Sequence, residues 1–308
     1  MSVEESETKG RPDKEKIFVW HVLPFDKEAA AGAEGEHLQM LQNDKTAKVI
    51  IYCNFSLPVR LRIVHGTASH VGQELRLDVY RLLTASNPNT HLFAMDYRGW
   101  GYSSGRPTEE GVVTDGMTVL NWVINTANVD PSQILIVSQS LGTGISMGVV
   151  SQYHDLHPDR PLAGTVMIAP FTSLRKLVGG YRMAGIIPLL GPLRIFPKAR
   201  DYFVDKCLKA DFNSAEQILR LARATKGTKF SISLVHATND WEISYLHSRE
   251  LFTLACDGDT LINETAYTDK VIKSIEQGRI RHIETSWGGH NDIQKSDAVV
   301  KAVLSAWR

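Results

Sequence analysis

The chain has 308 residues and carries 34 Lys and Arg against 34 Asp and Glu, so its formal charge is zero before histidines are counted. Nucleic-acid-binding proteins normally carry a basic surplus, and this balance argues against that class. With 43% apolar and 22% charged residues, the composition is typical of a globular protein rather than a disordered one. The length is sufficient for a full hydrophobic core, and we expect one domain.

The cysteines and the amino terminus indicate a reducing, intracellular environment. Cys53, Cys207 and Cys256 lie far apart and form no CxxC pair. Residues 1–16 are polar, lack the apolar core of a signal peptide, and are expected to form a flexible tail. The longest weakly charged stretch, 183–193, contains two prolines and is much shorter than the roughly 20 apolar residues of a spanning helix. We therefore expect a cytoplasmic protein or one that associates peripherally with a membrane.

Short apolar runs alternate with helical spacing along most of the chain. The helical pattern is clearest in 71–83 and 112–124, where apolar residues recur every three or four positions. This alternation predicts an α/β protein with a mostly parallel central sheet flanked by helices. The seven predicted strands are Ile17 to Leu23, Lys48 to Cys53, His91 to Met95, Gln133 to Val137, Thr165 to Ile168, Phe230 to Val235 and Ile280 to Glu284.

Two segments interrupt the alternation. Residues 171–212 are too long for a simple connection and have their own apolar content, which favours a cap or lid. Residues 54–64 separate the predicted strand 48–53 from His65, and we interpret them as an insertion. In the alternative, residues 60–64 are themselves the strand. That would place Arg60 and Arg62 on a covered face of the sheet, at the cost of burying charge, so a displaced loop is favoured.

A serine in a tight turn is the first candidate for chemistry. Ser138-Gln139-Ser140-Leu141-Gly142 follows an apolar strand and precedes helix-compatible residues. A strand-to-helix turn of this kind, a nucleophile elbow, exposes its central hydroxyl, and small residues on both sides allow strand and helix to approach. Ser138 replaces the usual first glycine but is still small. We predict Ser140 to be the nucleophile.

A serine hydroxyl needs a base and an acid that orients the base. Asp240 follows the predicted strand ending at Val235, and His290 follows the last strand, which gives the chain order Ser, Asp, His. Two backbone amides should stabilise the oxyanion, from Leu141 after the serine and from Thr67 after His65-Gly66. A true insertion before His65 would displace Thr67 and leave this oxyanion site incomplete.

Other residues compete for these roles. Asp96 opens a glycine-rich turn, where it is expected to pair with Arg98 or cap backbone, and Asp292 is too close to His290 in sequence to orient it. His65 and His236 fit hydrogen-bonded turn residues better than a catalytic base.

Two glycine clusters read GxGxxxG and miss the dinucleotide spacing by one residue, so no nicotinamide cofactor is expected. No metal-binding motif is present either, and we expect no cofactor or metal.

Charge distinguishes the 171–212 segment. It contains eight Lys or Arg and three Asp among many apolar residues. It could simply cover the core. Alternatively, it could hold an acyl chain and attract the protein to anionic membrane surfaces, since each basic residue near such a surface contributes about 1 kcal/mol.

Taken together, these motifs resemble the α/β-hydrolase superfamily, and within it the membrane-associated branch of lysophosphatidylserine and monoacylglycerol lipases. The resemblance extends from about Phe18 to the carboxyl end. In that branch the third strand leads straight into His-Gly, so residues 54–64 depart from the pattern. The matching motifs are Val19 to Pro24, His65 to Ala68, Asp96 to Ser103, Ser138 to Gly144, Ala169 to Thr172 and His236 to Asp240.

The resemblance implies a serine hydrolase that cleaves a carboxylic ester of a lipid, a monoacylglycerol or lysophospholipid, through an acyl-serine intermediate. The same residues could serve a thioesterase or a serine peptidase. From a different class, the chain could be an impaired member that acts as a binding or scaffold protein, an alternative favoured by the insertion before His65.

Overall fold

The architecture is taken from a computed structural model. It describes residues 2–4, 15–30, 34–55, 71–72, 74–180, 182–183, 187–188, 210–256, 263–265 and 271–308. The fold and the site are described for these residues. His65, Gly66 and Thr67 lie outside them.

A ten-stranded sheet forms the centre of the described residues, in the order β1-β2-β4-β3-β5-β6-β9-β12-β11-β10. Strands β4, β3, β5, β6, β9 and β12 run parallel, and on both sides of this group each further strand pairs antiparallel with its neighbour. These ten strands are β1 (Ser2–Glu4), β2 (Lys16–Val22), β3 (Lys48–Phe55), β4 (Thr90–Met95), β5 (Ile134–Ser140), β6 (Gly164–Ile168), β9 (Ser231–Ala237), β10 (Asn263–Thr265), β11 (Val271–Gln277) and β12 (Ile280–Thr285). A separate two-stranded ladder pairs β7 (Arg182–Met183) with β8 (Ile187–Pro188).

Helices cover both faces of the sheet. They are α1 (Glu34–Asn43), α2 (Glu74–Ala85), α3 (Glu109–Asn125), α4 (Leu141–Leu156), α5 (Leu174–Gly180), α6 (Ser214–Ala224), α7 (Leu246–Ala255) and α8 (Asp297–Ala306). Two buried clusters follow the alternation of the strands: one joins the sheet to α3, α4, α6 and α7, and the other joins it to α2 and α8. The strands are apolar on both faces because both faces are covered.

All seven predicted strands are present in the sheet, which confirms the predicted α/β architecture. The strand predicted at 133–137 runs from Ile134 to Ser140, three residues further than its apolar run. Strand β3 also extends beyond the predicted end at Cys53, since Asn54 and Phe55 continue its pairing with β5. The predicted insertion at 54–64 therefore began two residues too early, and 56–64 lie outside the described residues.

The amino terminus also differs from its prediction. We expected residues 1–16 to form a flexible polar tail, but Ser2–Glu4 pair with β2 as strand β1, and Lys16 belongs to β2. Without β1, β2 would be the edge strand with unpaired backbone groups, and pairing satisfies them.

In the described residues no helix has both the length and the apolar content needed to cross a membrane.

Candidate active site

The nucleophile elbow lies where β5 passes into α4. Ser140 ends β5 and caps α4, and its backbone has φ 55° and ψ −129°. Non-glycine residues rarely adopt positive φ, and such strain concentrates at functional sites. Leu141 is the first residue of α4, so no carbonyl of the helix lies four residues earlier to accept a hydrogen bond from its N–H. The N–H predicted as an oxyanion donor therefore belongs to the residue directly after Ser140, at the amino end of α4.

Ser138, which replaces the usual glycine of the motif, is fully buried beside α4. Its hydroxyl accepts a hydrogen bond from Ser146 of α4 at 2.8 Å. The buried hydroxyl that Ser138 adds in place of a glycine therefore has a hydrogen-bond partner in Ser146, and β5 and α4 still pack closely.

Three side chains from distant parts of the chain meet at this turn. Ser140 Oγ lies 2.9 Å from His290 Nε2, and His290 Nδ1 lies 2.8 Å from Asp240 Oδ2. Because a carboxylate only accepts hydrogen bonds, Nδ1 of His290 carries the proton and Nε2 is free to accept from the serine hydroxyl. The structure thus brings together the predicted nucleophile, base and acid in the arrangement that their roles require.

Asp240 is held as a carboxylate by four donors. Its Oδ1 accepts from the backbone N–H of Glu242 and Ile243 at 2.8 and 2.9 Å. Its Oδ2 accepts from His290 and lies 3.3 Å from Nε2 of His236. Burial would raise the pKa of Asp240, but the hydrogen bonds from His236 and His290 hold it well below its usual range.

The interaction that lowers the pKa of Asp240 raises the pKa of His290. Burial would lower the pKa of His290, but the hydrogen bond and negative charge of Asp240 outweigh burial and raise it. His290 therefore has a higher proton affinity than a free imidazole.

Three supporting contacts were not predicted from the sequence. Gln139 donates from Nε2 to the backbone carbonyl of His290 at 2.7 Å, and Asn239 accepts from the N–H of Gly289 at 2.9 Å. His236 Nε2 lies 3.1 Å from the carbonyl of Ile243, so that nitrogen carries a proton and points towards Asp240 as well. A signal for Gln139 was available: a polar residue at the end of an apolar strand needs a buried partner.

The rival acids have other partners. Asp96 accepts from the backbone N–H of Val71 at 2.9 Å and of Tyr102 at 3.3 Å, which is the backbone-capping role we expected. Arg98, the other partner that we considered for Asp96, forms a buried ion pair with Asp115 of α3 at 2.6 Å. Asp292 is exposed in a 3₁₀ turn and does not contact the imidazole.

Gly144 and Gly148 belong to the second GxGxxxG cluster, which begins at Gly142, and serve packing. A Cβ on Gly144 would lie 2.7 Å from Cβ of Phe212 and 2.9 Å from Cζ of Phe171, and one on Gly148 would lie 2.7 Å from Val113. These distances are too short for a side chain, so the cluster is explained by close approach of neighbouring elements.

The ends of the 171–212 segment meet beside the site. Leu174 N–H donates to the carbonyl of Asp211 at 2.6 Å, and the carboxylate of Glu109 accepts from the N–H of Asp211 and Phe212 at 2.8 and 3.1 Å. The chain thus leaves the sheet domain and returns to it at one place. Most of the residues between lie outside the described part.

Among the described residues, no group of three or more His, Cys, Asp or Glu side chains is arranged to hold a metal ion.

Comparisons with known proteins show which families and structures this chain is similar to. A family model described as serine aminopeptidase, S33, matches residues 59–201. The chain is 25% identical over 247 residues to the lysophosphatidylserine lipase ABHD12 of Danio rerio, covering 80% of this chain and 57% of that protein. It is 27% identical over 239 residues to the Bos taurus protein of the same name, covering 78% of this chain and 53% of the relative. The chain therefore spans about half the length of the curated relatives that it matches.

Among solved structures, the Pyrococcus furiosus esterase Pf2001 superposes with a TM-score of 0.56 at 12% identity. The superposition covers 99% of this chain and 86% of the esterase, and at this identity it supports the fold alone. The chain thus has the fold of α/β hydrolases and is similar in sequence to the lysophosphatidylserine lipases.

Proposed function

We propose that this protein is a serine hydrolase that cleaves carboxylic esters of lipids. The observation that carries the proposal is the continuous hydrogen-bonded chain from Ser140 through His290 to Asp240, at a positive-φ turn between β5 and α4. Each of the three residues lies at the carboxyl end of a strand, on β5 or in the loops after β9 and β12, where α/β proteins bind their ligands.

The reaction follows from the protonation states. His290 Nε2 takes the proton of Ser140 as Oγ attacks the acyl carbonyl, and the imidazolium that forms is stabilised by Asp240. The tetrahedral intermediate collapses when His290 gives this proton to the leaving alcohol, which leaves an acyl-serine. Water then attacks the acyl group, with His290 again as base, and releases the fatty acid and the free serine.

The oxyanion is assigned to two backbone donors, Leu141 N–H and Thr67 N–H. Leu141 stands at the amino end of a 16-residue helix, where the helix dipole favours negative charge. Thr67 lies outside the described residues, so its part in the site rests on the sequence. Loss of one such donor costs about 10²–10³ in rate, so a displaced Thr67 would give a slow enzyme rather than an inactive one.

The substrate class is inferred from the relatives, which are named lysophosphatidylserine lipases. We assign a monoacylglycerol or lysophospholipid ester to this chain, with residues 171–212 as a cap over the site in a single-domain protein. The tie between Leu174 and Asp211 supports a segment that folds as one excursion from the domain. Its basic surplus supports peripheral association with anionic membranes, and vesicle binding should then decrease as salt is raised.

A serine peptidase is the second candidate, because the matching family model is described as a serine aminopeptidase. An acyl-serine forms in both reactions, so the site geometry alone serves either. Ester and amide analogues with the same acyl group distinguish the two functions.

The proposal is tested with a fluorophosphonate probe. Ser140 Oγ attacks phosphorus, fluoride leaves and the enzyme is labelled, so the wild-type chain should react and Ser140→Ala should not. Ser138→Ala is the matched control, since it removes a serine hydroxyl two residues away and leaves the proposed nucleophile. Labelling of Ser140→Ala equal to wild type, or no labelling of the wild-type chain, would refute the proposal and favour a binding or scaffold role. A panel of monoacylglycerols, lysophospholipids, thioesters and peptides then identifies the substrate.

A further inference from the structure

Large apolar side chains are exposed unevenly over the described surface. Five of them are more than half exposed: Tyr102 (78%), Trp241 (72%), Leu156 (61%), Leu246 (56%) and Phe25 (51%). Single exposed apolar residues are ordinary, but a group on one side of a protein marks an interaction surface.

Their positions divide between the two ends of the parallel strands. The end that carries Ser140 is here called the active-site edge of the sheet, and the other end the opposite edge. Tyr102 follows β4, and Trp241 and Leu246 follow β9, so all three stand at the edge where the parallel strands end and where Ser140 lies. Leu156 ends α4 and Phe25 follows the antiparallel strand β2, and both stand at the opposite edge.

The three residues at the active-site edge lie on both sides of the nucleophile. In the sheet, β5 is two strands from β4 on one side and two strands from β9 on the other. With neighbouring strands about 4.8 Å apart, the strands that precede Tyr102 and Trp241 lie roughly 10 Å to either side of the strand that carries Ser140. A flat surface that touched both would lie across the entrance of the site.

The side-chain chemistry fits a lipid surface. Trp and Tyr rings have an apolar body and a polar tip, which suits the headgroup region of a bilayer. The ring of Tyr102 also packs against the ring of Phe18, with centroids 5.1 Å apart, and this contact helps to fix its position. The substrate proposed above resides in such a surface.

Three basic side chains at this edge are each paired with a carboxylate. Arg175 pairs with Asp211 at 3.5 Å, Lys176 with Glu250 at 2.7 Å, and Arg249 with Glu284 at 2.5 Å. Coulombic attraction to anionic lipid is therefore weak for these described residues, and apolar insertion should dominate.

We propose that the edge of the sheet that carries Tyr102, Trp241 and Leu246 is a docking face for lipid surfaces and that these three side chains insert among the headgroups. The inference rests on the proposed lipid-ester function and adds the surface through which a membrane-borne substrate is reached. Because insertion is apolar, this part of the binding persists in high salt, unlike the attraction expected from the basic 171–212 segment.

The test uses co-sedimentation of the full chain with phosphatidylcholine vesicles in high salt. The triple variant Tyr102→Ser/Trp241→Ser/Leu246→Ser should bind at least about ten-fold more weakly than wild type. The matched control, Phe25→Ser/Leu156→Ser, removes exposed apolar groups from the opposite edge and should bind as wild type does. Fluorophosphonate labelling verifies that each variant retains a folded site.

The outcomes separate the docking face from the proposed function. Wild-type chain that does not bind these vesicles, equal binding by the triple variant, or an equal loss in the control variant would overturn the docking face. So would self-association in vesicle-free solution that only the triple variant abolishes, since the face would then bind a second copy of the chain. Hydrolysis of a soluble short-chain ester by wild type tests the chemistry independently, and its absence would overturn the proposed function whatever the vesicles show.

Discussion

Acid should destabilise this protein through two histidines that are held neutral in the fold. His91 on β4 is buried, with its Nδ1 2.9 Å from Nε2 of His21 on β2. Burial, and then the positive charge of Lys27, lower the pKa of His91 to about 4, although Asp44 acts in the opposite direction. Burial, and then the nearby His91 and His37, lower the pKa of His21 to about 3.

The sign of the effect follows from proton binding. Below pH 6.5 the unfolded chain protonates both imidazoles, whereas the folded protein does not until the pH approaches 4 and 3. The unfolded state thus binds more protons across this window, so stability is present above pH 6.5 and is lost as the pH falls. Between pH 7.5 and pH 5, each histidine removes about 2 kcal/mol from the free energy of unfolding. Together this is a large share of the 5–15 kcal/mol that is usual for a domain.

Urea unfolding of wild type and His91→Gln at pH 7.5 and pH 5 measures the effect, because the glutamine amide can still reach His21 but does not titrate. The variant should lose about 2 kcal/mol less than wild type between the two pH values. His157→Gln, at an exposed histidine, is the matched control and should behave as wild type. If His91→Gln and wild type lost the same free energy, His91 would be charged inside the fold and the argument from burial would be wrong.

Three further predictions concern the site. Hydrolysis of a soluble ester should decrease in acid with a midpoint above pH 6.5, because the active base is neutral His290 and Asp240 raises its pKa; a pH–rate profile with a lower midpoint would contradict this. Asp240→Asn should lower kcat by about 10⁴ while Asp292→Asn leaves it near wild type, and equal losses would remove Asp240 as the orienting acid. Gly144→Ala should lower the free energy of unfolding by about 1–3 kcal/mol, because its Cβ would lie 2.7 Å from that of Phe212; an unchanged urea midpoint would show that the phenylalanine moves aside.

The central strands and the triad were predictable because each rests on a local pattern. Buried parallel strands are apolar on both faces. Each of the three site residues follows such a strand: Ser140 lies at the end of β5, Asp240 after β9 and His290 after β12. Once the strands are parallel, their carboxyl ends share one edge of the sheet, so Ser140, Asp240 and His290 must come close together.

Edge strands were less predictable from the sequence. β1 is three residues of a polar tail and β10 is Asn-Glu-Thr, and neither has the apolar alternation by which a strand is recognised. Their positions depend on pairing with a neighbouring strand, which a local window does not contain.

Partners distant in sequence were also missed. The sequence suggested Arg98 only as a possible partner of Asp96, whereas Arg98 forms its ion pair with Asp115 of α3. The Gln139 contact to His290 likewise joins two loops whose arrangement exists only after the sheet has formed.

That contact has a mechanical consequence. Ser140 and His290 are separated by 150 positions along the chain. Gln139, the direct neighbour of Ser140, nevertheless donates a hydrogen bond from its side-chain amide to the main-chain carbonyl of His290 at 2.7 Å. A displacement of β5, which carries Ser140, would therefore be transmitted through this hydrogen bond to His290. This hydrogen bond therefore limits how far the His290 main chain can move relative to the strand that ends at Ser140.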